Sequence, residues 1–225
     1  MDSANLFASF FERNLQKEQI IISPAIEIKF FSRPKILKKT TNLIFTSSNG
    51  VKAAGQAVNN NIRAICVGDR TTSLASSLGY SAEKYGDNVE QLIKRLCLSK
   101  KIEGDILHIR GKYTKVDLMN RLRKAGFLCH EWEGYDQIAK NLSFQALNAF
   151  KNGEKIILPI FSERSGRLLK DQIPNFDKCH IIAISSAVAN VFLDVSPASI
   201  SEAQTPDLVG MRSSTKTVLE NAHLE

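Results

Sequence analysis

One pattern occurs twice in this chain, and it restricts the fold to layered α/β. Asn42-Leu43-Ile44-Phe45 runs into Thr46-Ser47-Ser48-Asn49-Gly50-Val51. About 115 residues later, Lys155-Ile156-Ile157-Leu158-Pro159-Ile160 runs into Phe161-Ser162-Glu163-Arg164-Ser165-Gly166. Each is an apolar run of strand length that stops at a turn of small hydroxyl side chains and opens a helix-like segment. Each is followed roughly twenty residues on by a second unit of the same kind. Ile62-Arg63-Ala64-Ile65-Cys66-Val67 meets Gly68-Asp69-Arg70-Thr71, and His180-Ile181-Ile182-Ala183-Ile184 meets Ser185-Ser186-Ala187-Val188-Ala189. Two similar halves of this kind suggest two α/β domains whose loop edges can face each other.

The rest of the chain keeps the alternation. Leu6, Phe7, Phe10, Phe11 and Leu15 have helical spacing over Asn5 to Gln16. Gln19 to Ser23 reads as a short apolar strand, and Ile26, Ile28 and Phe30 alternate with Glu27 and Lys29 as in a half-exposed strand. Expected next are strand 42–46, a helix from about 49, strand 63–67, helices from about 70 and over 88–98, strand 105–110, helix 114–125 and strand 127–132. The second half reads as helix 142–151, strand 155–160, helix 164–172, strand 180–184, helix 186–193, a short strand near Ile200 and a helix after Pro206. Strands alternating with helices imply parallel sheets covered on both faces. The exposed-looking stretches at about 26–33 and 131–138 read as crossovers between domains. The expected division is residues 1–30 plus 138–223 for one domain and 34–132 for an inserted one.

The bulk numbers narrow the function classes. A length of 225 residues fits one large domain or two small ones. No apolar stretch approaches the ~18 residues of a membrane span, and the start Met1-Asp2-Ser3-Ala4-Asn5 lacks a basic signal region. Cys66, Cys97, Cys129 and Cys179 are far apart and form no Cys-x-x-Cys, so they read as free thiols of a cytoplasmic protein. The net charge of +7 is uneven: residues 33–136 carry 18 Lys/Arg against 10 Asp/Glu, and the remainder 12 against 13. The surplus is either a solubilising surface or a field that attracts an anionic ligand. Nucleic acid is disfavoured, because no basic stripe interleaved with aromatics and no known module pattern is present. No exposed heptad argues for an oligomer, so a monomer is expected.

Familiar catalytic signatures are absent. There is no Gly-x-Gly-x-x-Gly, no phosphate-binding Gly-Lys-Ser/Thr loop and no Gly-x-Ser-x-Gly elbow. His108, His130 and His180 lie in or beside expected strands without ligand spacing, and read as packed or rim histidines. The positive signal is the set of Ser/Thr turns. Taken singly, Thr46, Ser47, Thr71, Ser162 and Ser185 are helix N-caps worth about 1 kcal/mol each. Taken together, they stand at the carboxyl ends of parallel strands, the edge where open α/β sheets bind ligands.

The ordered set resembles the uroporphyrinogen-III synthase family. The residues that carry the resemblance are Thr46 to Val51, Val67-Gly68-Asp69-Arg70-Thr71, Asp105 to Gly111 with Leu118 and Leu122 ahead of Ala125-Gly126-Phe127, Tyr135, Phe161 to Gly166, and Ala183 to Ala189. It spans nearly the whole chain. It implies two flavodoxin-like domains with parallel sheets, a two-stranded β linker and a ligand cleft between them. It implies a small anionic tetrapyrrole substrate, hydroxymethylbilane, closed to uroporphyrinogen III with inversion of ring D and loss of water, with no metal or cofactor. Loss of the ring A hydroxyl gives an electrophilic azafulvene, and ring D attacks through its substituted carbon to a spiro intermediate; without enzyme the unhindered carbon reacts and the unflipped isomer forms. The principal task is thus to hold one conformer. Tyr135 matches the family's linker tyrosine and is expected to donate the proton that lets the hydroxyl leave, or otherwise to pack the linker. Thr46, Ser47, Gly68, Thr71 and Gly111 are implied as substrate-binding in the inserted domain, and Ser162, Ser165 and Ser185 in the other. Lys112, Lys115 and Arg70 are candidate carboxylate partners.

Two departures stand out. Family members usually open with a strand ending in Thr-Arg-Pro, whereas this sequence starts at the following helix. Thr72 stands where Ala is frequent, and Lys115 where Arg is common. A hinge-closing small-molecule binding protein and an inactive relative of the family are the competing readings.

Overall fold

In a computed structural model, the described residues are 3–12, 20–35, 40–58, 61–99, 102–114 and 116–222. The chain forms two compact units: residues 28–138 are one, and residues 1–27 with 139–225 are the other. We call them the inserted and the flanking unit. Helix α1 (Ser3–Phe11) belongs to the flanking unit, and β1 (Ile26–Phe30) leads into the inserted one.

The inserted unit continues with β2 (Asn42–Phe45), α2 (Ser48–Ala54), β3 (Arg63–Val67), α3 (Asp69–Ser77), β4 (Ser81–Gly86), α4 (Val89–Ser99), β5 (Ile106–Gly111), α5 (Leu118–Lys124) and β6 (Cys129–Ala139). Its sheet has the order β1-β6-β5-β2-β3-β4. The pairs β2/β3, β2/β5, β3/β4 and β5/β6 are all parallel. β1 runs antiparallel to β6: the Phe31 N–H donates to Gly134 O at 2.9 Å, and the Lys140 N–H to Ala25 O at 2.8 Å.

The two-residue period of the strands sorts their side chains onto two cores. Leu43, Phe45, Ala64, Cys66, Leu107 and Ile109 face one side, covered by Val51, Ala53 and Ala54 of α2 and Ala75 of α3. Ile44, Ile65 and Ile106 face the other, covered by Leu92, Ile93 and Leu96 of α4 and Leu118, Met119 and Leu122 of α5. With both faces covered, β2, β3 and β5 are largely apolar, as central parallel strands are.

The flanking unit adds α6 (Phe144–Lys151), β7 (Ile156–Ile160), α7 (Glu163–Lys170), β8 (Cys179–Ala183), α8 (Ser186–Ala189), β9 (Ser199–Glu202) and α9 (Leu208–Ala222). Its parallel sheet has the order β7-β8-β9. Phe150, Leu169, Phe176 and Phe192 pack on one face. Phe7 and Phe11 of α1 and Met211 of α9 pack on the other, against Ile182. No helix among the described residues is long and apolar enough to cross a membrane.

Several elements differ from expectation. Residues 20–23 form no strand, while Gln19 lies outside the described residues; Ile20 and Ile21 instead pack as side chains on the flanking cores. β4 is an addition to the expected elements: Ser-Ala-Glu-Lys-Tyr-Gly buries only Tyr85 and takes the sheet edge, where charged side chains are the rule. The expected strand 127–132 and crossover 131–138 are one continuous strand, β6. α5 is shorter than 114–125, because Asp117 caps it by accepting from the Asn120 N–H. Residues 186–193 hold only the one-turn α8 and a 3-10 turn over Asn190–Phe192.

β6 passes so close to its neighbours that position 134 excludes a side chain. A Cβ there would stand 2.8 Å from Ala53 Cβ and 2.9 Å from Ile109 Cγ2. Gly134→Ala is therefore expected to cost about 2 kcal/mol by overpacking, read as a lower urea midpoint at unchanged slope. A midpoint equal to that of the unaltered chain would show that β6 can shift freely.

Candidate active site at the carboxyl edge of the inserted sheet

The strand order creates a crevice. From β2 the chain moves outward through β3 to β4, then returns to the other side of β2 with β5 and moves the opposite way to β6. α2 covers one face and α5 the other. The carboxyl ends of β2 and β5 therefore flank a topological switch point, where doubly wound sheets bind ligands.

Ser47 stands at this point. Its backbone is extended at the N-cap of α2, and its Oγ accepts from the Gly50 N–H at 3.3 Å. The same oxygen lies 2.9 Å from the Tyr135 hydroxyl. Tyr135 comes from β6 across a register shift that sets it opposite Gly111, the last residue of β5. The Lys112 N–H donates to Tyr135 O at 2.9 Å and fixes that backbone. Gly111 is required: a Cβ would meet the Tyr135 ring at 2.8 and 2.9 Å. The ring is 7% exposed, and Phe30 of β1 approaches it edge-on at 6.5 Å between centroids.

Thr46 lies one residue before Ser47, and its Oγ1 is 3.3 Å from His108 Nε2. His108 is 3% exposed, and its Nδ1 has no hydrogen-bond partner. Burial pushes this imidazole down to about 4; Glu131 opposes that shift and Arg110 adds to it. The ring is neutral at pH 7. It borders a cavity of about 300 Å³, also lined by Arg110, Thr114, Asp117, Met119 and Glu131. Arg110 donates to Glu131 at 2.9 Å, reaches Glu133 at 3.0 Å and donates to Gly111 O at 3.0 Å, so it clamps the end of β5. The Glu131 hydrogen bond, more than the general field of the two acids, raises its affinity for its proton.

Gly68 is the N-cap of α3, with φ of 76° that glycine tolerates. Thr71 is not a cap. It lies inside α3 at 6% exposure, and it is the Thr72 hydroxyl that donates back to Gly68 O, at 2.9 Å. Most acids of this unit are already engaged by cations. Lys84 holds Asp69 and Asp87, Arg95 and Arg63 hold Glu83, Arg121 holds Glu90, and Lys112 stands 3.8 Å from Asp136. The surplus positive charge is thus not neutralised within the unit. Lys115 lies outside the described residues.

In the flanking unit, Ser162 follows β7 and caps α7, its Oγ accepting from the Ser165 N–H at 3.1 Å and lying 2.8 Å from Ser165 Oγ. Ser185 follows β8 at the N-cap of α8 in extended conformation, and its hydroxyl makes no capping bond. His130 pairs with Asp105 at 3.3 Å, and His180 Nδ1 with Ser199 Oγ at 2.9 Å. All four cysteines are free.

The site thus offers a held phenol, small hydroxyls and backbone donors, with a neutral histidine beneath. The family model described as uroporphyrinogen-III synthase HemD matches residues 13–211. The chain belongs to the uroporphyrinogen-III synthase family. It cyclises hydroxymethylbilane to uroporphyrinogen III in porphyrin biosynthesis. Among solved structures, the uroporphyrinogen-III synthetase of Helicobacter pylori is similar at 18% identity, over 86% of this chain and 91% of that one, with a TM-score of 0.66. A mutant uroporphyrinogen III synthase from the extremely thermophilic bacterium Thermus thermophilus is similar at 12% identity, over 97% and 95% of the two chains, with a TM-score of 0.55. At these identities the structures speak to the fold. No curated protein matches.

Thr46, Ser47, Gly111 and Tyr135 are brought together at the carboxyl ends of β2 and β5; Gly68 caps α3 and Thr71 lies in its first turn, and Ser162, Ser165 and Ser185 belong to the flanking unit. Motifs alone miss His108 as Thr46's partner and Arg110 as the clamp. The alternation of Ile106, His108 and Arg110 on one face of β5 is the available signal.

Proposed function

We propose that ring closure takes place at the switch crevice of the inserted unit, with Tyr135 as proton donor to the departing hydroxyl. The observation that carries this reading is the 2.9 Å contact between Tyr135 OH and Ser47 Oγ. Ser47 already accepts from the Gly50 N–H, so its own proton is available to the phenol oxygen. The contact fixes where the phenol points and offers stabilisation to a developing phenolate. Thr46, Ser47, Gly68 and Gly111 contact the acetate and propionate groups through hydroxyls or backbone N–H; Ser162, Ser165 and Ser185 are the substrate-binding residues proposed for the flanking unit taken by itself. Thr71 contributes through its backbone, given the burial of its side chain. The excess of cations in residues 33–136 draws in the polyanion.

We further infer a cytoplasmic monomer that acts without nucleic acid, in keeping with four unpaired cysteines. Supplying hydroxymethylbilane, oxidising the product and resolving its isomers by chromatography tests the central reading. The type III isomer is expected to dominate; type I alone would leave the crevice without its reaction.

A further inference from the structure

We propose that Phe30 is an aromatic platform for substrate ring A, the pyrrole that turns cationic when its hydroxyl leaves. The inference rests on the proposed placement of the chemistry at Tyr135. Phe30 ends β1 on the same face as Ile28, which packs into the core that holds Tyr135. Unlike Ile28, it is 46% exposed, and it meets Tyr135 edge-on with ring planes at 61°. The edge-on approach leaves ring surface uncommitted beside the phenol. The backbone beside it is fixed, since the Phe31 N–H donates to Gly134 O at 2.9 Å. A large aromatic held half in water, next to a buried hydroxyl at a ligand crevice, is a ready contact for a flat heterocycle.

The electron balance gives the contact its purpose. The ring A hydroxymethyl C–O bond breaks with its pair going to oxygen, which takes the Tyr135 proton and departs as water. Ring A is left as an azafulvenium cation. Ring D attacks through its substituted α-carbon, the older bridge bond to that carbon breaks and re-forms at the free α-carbon across the ring nitrogen, and the proton lost there restores the phenol. Between the first and second steps a positive charge is spread over ring A, and a phenyl face attracts such a charge even at a partly exposed site.

The test compares Phe30→Ala, Phe30→Leu and Phe30→Trp in the full chain. Phe30→Ala is expected to lower kcat about tenfold, equivalent to about 1.4 kcal/mol on the barrier, with little change in KM and a melting temperature within about 2 °C of the unaltered chain. Phe30→Leu should be as slow as Phe30→Ala, while Phe30→Trp should restore kcat. Normal turnover in Phe30→Ala, or full rescue by Phe30→Leu, would overturn the platform. If the unaltered chain makes type III isomer and Phe30→Ala is normal, the platform falls and the proposed reaction site stands. If the unaltered chain makes type I alone, both fall.

Discussion

Tyr135→Phe is expected to lower turnover at least tenfold while leaving the chain folded. The substitution removes one oxygen. The ring keeps its seat over Gly111 and beside Phe30, and β6 keeps its backbone bonds. What is lost is the proton donor proposed to let the ring A hydroxyl depart as water. Positioned proton donors contribute on the order of a hundredfold or more. A donor acts in the transition state, so kcat and kcat/KM should fall together and KM should hold. Ser47→Ala makes a useful companion. It frees the phenol and removes the α2 cap, which costs about 1 kcal/mol of stability, so part of the turnover loss should appear there too. Near-normal turnover in Tyr135→Phe would reduce the tyrosine to packing.

The second large effect is on stability against pH. Burial depresses His108 to about 4 in the folded chain, against an ordinary 6.5. Below pH 6.5 the unfolded chain takes up a proton that the native site refuses. The stability associated with the neutral ring is therefore complete above pH 6.5 and is lost progressively down to about pH 4. The span corresponds to about 3 kcal/mol at 1.36 kcal/mol per pH unit. Glu131, Arg110 and Asp117 border the same cavity. The informative quantity is thus the difference from His108→Gln, which can keep a hydrogen bond to Thr46. Urea midpoints measured from pH 7.5 to 4 should show the unaltered chain losing stability faster than the variant as pH falls. Parallel curves would mean that His108 is hydrated in the native state.

The sequence readily exposes apolar runs buried on two faces, such as residues 43–45 and 181–183, because water exclusion over both faces leaves an unbroken signal. The caps at Ser47 and Ser162 are legible for a similar reason, since they act within three residues. β4 is hidden, because an edge strand with one buried side chain resembles a loop. Ile20–Ser23 misleads in the other direction: its apolar side chains fill core without forming a ladder. Thr71 has the look of a cap, but Gly68 already occupies that role through its positive φ. The central contact is the least visible. Ser47 and Tyr135 are 88 residues apart, and only the placement of β6 beside β5 brings them together. The family resemblance points to both residues, but their hydrogen bond is a tertiary fact.

β1 and β6 are hydrogen-bonded neighbours, and they are where the chain enters and leaves residues 28–138. Entry and exit therefore stand about 5 Å apart, one strand spacing. A segment whose ends meet can be cut out, grafted or duplicated without stretching its host. On the ribosome, residues 28–138 hold a complete sheet before the partners of Phe7 and Phe11 have been made. Synthesis order thus favours early folding of the half that carries the phenol, with closure of the other half left to the last strands and helices.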